Sequence, residues 1–120
     1  MDFTYQQKIA MMRILLDIVN ADGVVDVRET FFFNQLLIEF SMSEEDRAMI
    51  EDKNSLLALA QINDMTFEQK NYFFDLMTKM IIVDEDINVN EVAIYDIVSQ
   101  FCNFNKRIEE QDLPNNLTHS

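Results

Sequence analysis

The stretch "ADGVVDVRE", Ala21 to Glu29, returns in altered form as "VDEDINVNE", Val83 to Glu91. Asp22 falls against Asp84, Val27 against Val89 and Glu29 against Glu91, each at an offset of 62 residues. The same offset sets "FTYQQK" (Phe3 to Lys8) against "MTFEQK" (Met65 to Lys70), and "ETFFF" (29–33) against "EVAIY" (91–95). A similarity at one fixed offset marks a supersecondary unit written twice. Each copy is a helix, an acidic turn and a second helix. The chain therefore reads as two helical hairpins, residues 4–41 and 66–103, joined by "SEEDRAMIEDKNSLLALAQIND" (43–64), which forms one or two short helices. Hairpins with apolar inner faces bury them most easily against each other, around an approximate two-fold axis. The expected fold is all-α, a compact helical bundle of two pseudo-symmetric hairpins with both acidic turns near one end of the axis.

Helix starts support this division. A Ser, Thr, Asp or Asn followed three residues later by Glu, Gln or Asp, ahead of an apolar periodic run, is the signature of a capping box. Thr4 with Gln7, Asp26 with Glu29, Ser43 with Asp46, Thr66 with Gln69 and Asn88 with Glu91 all fit, and Asn54 or Ser55 suits one further start. In the first helix, about residues 5–20, Gln6, Ala10, Arg13, Asp17 and Asn20 make a narrow polar stripe on an otherwise apolar cylinder. Such a helix is central and shows only a thin edge to water. The helix at 67–82 repeats the layout with Glu68, Asp75 and Lys79.

Composition agrees. At 120 residues with 48% hydrophobic content, ten Phe and eight Met, the chain is apolar enough to fold around one core. One Gly and one Pro leave little material for hairpin turns. Residues 1–104 read as a single domain, and 105–120 as a short helix or a frayed tail. The longest apolar runs are interrupted by Arg13, Asp17, Asn34 and Gln35 and are too short to span a bilayer, so no membrane insertion is expected. Asp2 stands where a signal peptide needs a basic residue, and the lone Cys102 has no internal disulfide partner. A cytoplasmic location is expected.

The formal net charge is −13, from 22 acidic against 9 basic residues, and no basic cluster exceeds Lys106-Arg107. That disfavours direct nucleic-acid binding. It leaves solubility, a divalent cation, a basic protein partner, or mimicry of nucleic acid.

Helix punctuation alone accounts for part of the opening stretch. Gly23 supplies a left-handed residue, Asp26 caps the next helix and Glu29 closes the box; Asn88 and Glu91 do the same in the second copy. Asp22, Asp84, Glu85 and Asp86 are left over. Asp22 and Asp84 fall at helix C-termini, where the dipole disfavours negative charge by about 0.3–1 kcal/mol. A hard cation offsets that charge: carboxylate and carbonyl oxygens suit calcium, magnesium or manganese, whereas zinc wants His and Cys. A neighbouring base such as Arg28, or plain solvation, is the alternative. The candidate metal ligands are Asp22, Asp26, Glu29, Asp84, Asp86 and Glu91. An EF-hand is excluded, because counting from Asp84 puts Val89 at position six and Tyr95 at position twelve, where Gly and Glu are required.

The "ADGVVDVRE" turn, preceded by "MMRILLDIVN" and echoed by "VDEDINVNE", resembles the TerB-like family, named for a bacterial tellurite-resistance protein, over residues 5–104. The resemblance implies an all-helical domain of two related hairpins with an acidic cluster that binds divalent metal. It also implies roles in stress response, envelope-associated defence, or as a module on J-domain co-chaperones. Carried over by position, the matching residues are Asp22, Asp26, Glu29, Asp84 and Glu91. The second turn departs from the family pattern, with Glu85 in place of Gly and Asn88 in place of Asp.

Enzyme chemistry finds little support. The only histidine, His119, lies next to the last residue, and there is no glycine-rich loop to cradle phosphate. No organic cofactor is expected. Met77 and Met80 read as core filler and Cys102 as a packed thiol. Three consecutive rings, Phe31, Phe32 and Phe33, exceed what one narrow helix face buries, so Phe32 or Phe33 is expected at an interface, a homodimer contact included. The reading is a non-enzymatic, cation-binding interaction domain. The rivals are an acidic inhibitor that occupies the basic groove of a nucleic-acid-handling protein, and a carboxylate hydrolase, which needs an enclosed acid pair.

Overall fold

The computed structural model describes residues 1–83 and 87–103, and the 105–120 tail with its His119 lies outside them. Six helices follow in order: α1 (Tyr5–Val19), α2 (Val27–Glu39), α3 (Glu44–Asp52), α4 (Ser55–Asn63), α5 (Phe67–Ile82) and α6 (Val89–Phe101). Among the described residues there is no strand. The linker forms two helices, with Asn54 as the cap of the second. The bundle is all-α, as the repeat predicts.

The two copies correspond closely. α2 and α6 start and stop at the same 62-residue offset, as do the caps Thr4 and Thr66, and Asp26 and Asn88. Even the left-handed residues that end the hairpins match: Ser41 at φ 58° and Asn103 at φ 50°. After α2, Met42 N donates to Leu37 O (2.9 Å) and Ser41 N to Ile38 O (3.0 Å), the paired bonds of a Schellman ending. A residue with a Cβ is strained there by about 1–2 kcal/mol. Ser41→Gly is therefore expected to stabilise the protein by about 0.5–1 kcal/mol, measured as a shift of the urea midpoint at unchanged slope.

Two contacts define how the copies meet. Gln69 Nε2 donates to its own counterpart, Gln7 Oε1, at 3.4 Å, so the pseudo-axis passes close to the N-terminal ends of α1 and α5. Beyond their other ends, Asn88 Nδ2 donates to Asp22 Oδ2 at 3.0 Å. Start meets start and end meets end, so α1 and α5 run in the same sense and both acidic turns fall at one end of the bundle.

α1 packs against each of the other five helices. Met11, Met12, Leu15 and Ile18 are fully buried along it. Phe73, Phe74, Met77 and Met80 bring α5 into the same core, and Tyr95 and Cys102 bring α6. Met77 and Met80 are core residues, and burial pushes the Cys102 thiol up from its ordinary value.

The polar stripe of α1 differs from expectation. Its ends, Gln6 and Asn20, are exposed as expected, but Arg13 and Asp17 between them are engaged by the linker. Arg13 Nη1 donates to Glu51 O (2.9 Å) and Ile50 O (3.4 Å), satisfying carbonyls that the end of α3 leaves open. The same guanidinium pairs with Asp17, and Ser55 Oγ, at the start of α4, donates to Asp17 Oδ2 at 2.7 Å. Arg13 and Asp17 thus clasp the α3–α4 junction onto the first copy. Tyr5 Oη adds a bond to Asp46 Oδ1 (2.7 Å) at the start of α3. The Ser43 amide and that hydroxyl hold the Asp46 carboxyl below the usual carboxylate range. On α5 the counterparts Asp75 and Lys79 remain exposed, so the linker breaks the symmetry.

Candidate functional site

The site is the corner where the two acidic turns meet. In the first turn, α1 is capped at Asn20, and Gly23 takes φ 77° three residues later, making the bend rather than the helix end. Asp22 therefore lies beyond the last turn of α1, and the dipole argument raised for it loses force, because that field acts within the terminal turn. Its carboxylate is also supplied with donors: Val24 N at 2.9 Å and Asn88 Nδ2 at 3.0 Å. Asp26 Oδ1 accepts from Arg28 N (2.7 Å) and Glu29 N (3.2 Å), capping α2. Arg28 Nε stands 3.7 Å from the same oxygen, so this base serves Asp26 and not Asp22.

Asn88 joins the turns. Its Oδ1 accepts from Asn90 N (2.8 Å) and Glu91 N (3.3 Å), which orients its Nδ2 toward Asp22. An aspartate caps a helix equally well but has no hydrogen to donate. The asparagine at this position is thus what joins the two turns. Asn88→Asp is expected to replace the donor with a second carboxylate and cost about 1–3 kcal/mol in cation-free buffer, read by chemical denaturation.

Glu29 and Glu91 overturn one expectation. Complete capping boxes occur in α1, α3 and α5, but in α2 and α6 only the cap side chain takes part. The two glutamates turn inward instead and are 1% and 3% exposed, the buried charged residues of the described chain. The reason is their place in the helical period. Glu29 precedes the buried Phe33, Leu36 and Phe40 by four, seven and eleven residues, and Glu91 precedes Tyr95, Val98 and Cys102 by the same intervals. Both therefore lie on the inner face of their helix. That spacing was readable in the sequence, and the capping-box reading obscured it. Asn88, taken there as a cap alone, is the other residue that sequence reasoning missed.

Of the six candidate ligands, the structure brings Asp22, Asp26, Glu29 and Glu91 into the two joined turns. Asp84 and Asp86 lie outside the described residues. Among the described residues, no three His, Cys, Asp or Glu side chains converge as a ligand set. Glu29, Glu91, Asp22 and Asp26 offer oxygen donors only, the type that suits a hard cation and not zinc or copper.

The phenylalanine triplet is resolved as well. Phe33 is buried under the Arg47 guanidinium (5.6 Å to the ring centroid), Phe32 packs half-buried on the core, and Phe31 is 64% exposed. The exposed ring is Phe31, not Phe32 or Phe33, because the α2 inner face runs through Phe33, Leu36 and Leu37. No helix among the described residues is long and apolar enough to cross a membrane.

No protein-family model matches the chain. No curated protein matches it either. Among solved structures, the chain is similar to the crystal structure of a protein of unknown function from Porphyromonas gingivalis W83, at 23% identity and a TM-score of 0.72, over 88% of this chain and 83% of that one. At that identity the likeness establishes a shared fold and nothing about activity.

Proposed function

We propose that this is a TerB-like, non-enzymatic domain whose paired acidic turns bind one divalent cation, calcium, magnesium or manganese, and whose surface docks a protein partner in a stress-response or defence setting. The observation that carries the cation reading is the placement of Glu29 and Glu91. Two carboxylates are sunk at equivalent positions of two turns that a direct Asn88–Asp22 hydrogen bond holds together. Carboxylate oxygens at matching positions of two joined turns are the ligand type that a hard divalent cation takes. The candidate ligands are Glu29, Glu91, Asp22 and Asp26, together with Asp84 and Asp86, which lie outside the described residues.

In this reading the ion acts as a structural staple between hairpins. It ties the first turn of α2 to that of α6 and fixes the end of the bundle. The test is calorimetric titration of chelator-treated protein with calcium, magnesium and manganese in turn. Saturable one-to-one binding of any of them supports the reading. Absence of heat and of any change in stability with all of them removes it.

A further inference from the structure

We propose that the outer face of α2 docks a basic, amphipathic helix of a partner protein. It deepens the partner half of the reading above and is independent of the cation half.

Val27, Phe31 and Ile38 lie at i, i+4 and i+11 on α2 and are 81%, 64% and 73% exposed. Val24 and Val25 extend the apolar surface into the acidic turn, at 67% and 62% exposed. Val27 and Phe31 stand as a ridge between two hollows. One, of about 400 Å³, is walled by Phe32, Gln35 and Val83 and is almost wholly apolar. The other, of about 350 Å³, is walled by Val25, Thr30 and Asn34. A ridge flanked by grooves is the surface that a second helix packs against, its own side chains filling the hollows. From Val27 to Ile38 the ridge runs about 16 Å, roughly three turns of a partner carrying apolar anchors at i, i+3 or i+4, and i+7.

Charge decides the chemistry of the occupant. One turn beyond Gln35, the same side of α2 carries the exposed Glu39. Arg28, which also lines it, is held by Asp26 at 3.7 Å. A second copy of this chain would bring a further net charge of −13 against the first. Repulsion of that size disfavours self-association, whereas a helix with lysines or arginines flanking its apolar stripe gains attraction from that net charge and from Glu39.

The test uses a synthetic 16-residue amphipathic helix with a leucine stripe and lysine flanks, its glutamate-flanked counterpart, and the full chain labelled for fluorescence anisotropy. Saturable binding of the lysine peptide, weakened at least tenfold by Val27→Ser with Phe31→Ser and absent for the glutamate peptide, is the expected result. Both replaced side chains are largely exposed, so the thermal midpoint should stay put. Ile38→Ser provides a second variant if the pair lowers it. Equal binding by wild type and variants would mean bulk attraction to an acidic protein and overturns the proposal. So does a wild-type dimer in sedimentation equilibrium that Phe31→Ser dissolves, because the face then belongs to a second copy. Lack of binding by the lysine peptide overturns it too. Repeating the titration in chelator and in calcium separates this outcome from that of the cation.

Discussion

If the paired turns bind a divalent cation as proposed, saturating chelator-treated protein with calcium, magnesium or manganese is expected to raise the thermal midpoint by about 10 °C, and Glu29→Gln with Glu91→Gln is expected to abolish that rise. The size follows from mass action: a ligand at a hundred times its dissociation constant stabilises the native state by about 2.7 kcal/mol. For a domain of this length about 1 kcal/mol moves the midpoint by about 4 °C. Glutamine keeps the shape of the inward side chains but removes the charge. If these two carboxylates hold the ion, the increment disappears while the helices remain. If both variants respond to the cation as the parent does, the ligands lie elsewhere, and the burial of Glu29 and Glu91 is purely architectural. Asp22→Asn is an informative companion: Val24 N and Asn88 Nδ2 donate to different Asp22 oxygens, and the single amide oxygen of asparagine can keep only one of those bonds. Its stability in chelator reports the lost bond, and any further loss of cation response reports the charge.

Phe74→Ala is expected to cost about 3–5 kcal/mol, the largest effect of a single substitution argued for this chain. Phe74 is fully buried on α5, 6.1 Å from the Phe73 ring and 5.5 Å from Tyr95 of α6. Removing it opens a cavity at the point where the second hairpin closes on itself. Domains of this kind have a total stability of about 5–15 kcal/mol, so the variant keeps only a modest margin at 25 °C. Chemical denaturation measures it directly. A loss under 1 kcal/mol would mean that the α5–α6 contact collapses around the gap, and that the core is less specifically packed than its burial indicates.

The repeat was legible because it rests on local chemistry. Thr4 and Thr66 each cap a helix through the residue three positions on, and their apolar runs keep the helical period, so both hairpins can be drawn from neighbouring residues alone. The linker was read as one helix or two, with Asn54 or Ser55 as the second cap; it forms two, and the Asn54 side chain accepts from Leu56 N and Leu57 N. The site was half legible. Asp26 as a cap was plain, while Glu29 satisfied two patterns at once, the N3 place of a box and the inner face of an amphipathic helix. Nothing within the segment says which wins.

The sequence alone thus settled the order of the hairpin helices, their caps and the duplication, since caps and periods depend on interactions spanning four residues or fewer, and it left the linker between one helix and two. Packing between distant segments settled the rest. Burial turned Glu29 and Glu91 inward, because the hairpins close over the face on which these residues stand. The α3–α4 junction converted the polar stripe of α1 into a clasp, since Arg13 found carbonyls at residues 50 and 51 and Asp17 found Ser55. The meeting of Asp22 with Asn88 needed two turns 66 residues apart to arrive at the same corner, and only the pseudo-two-fold packing of α1 against α5 brings them there.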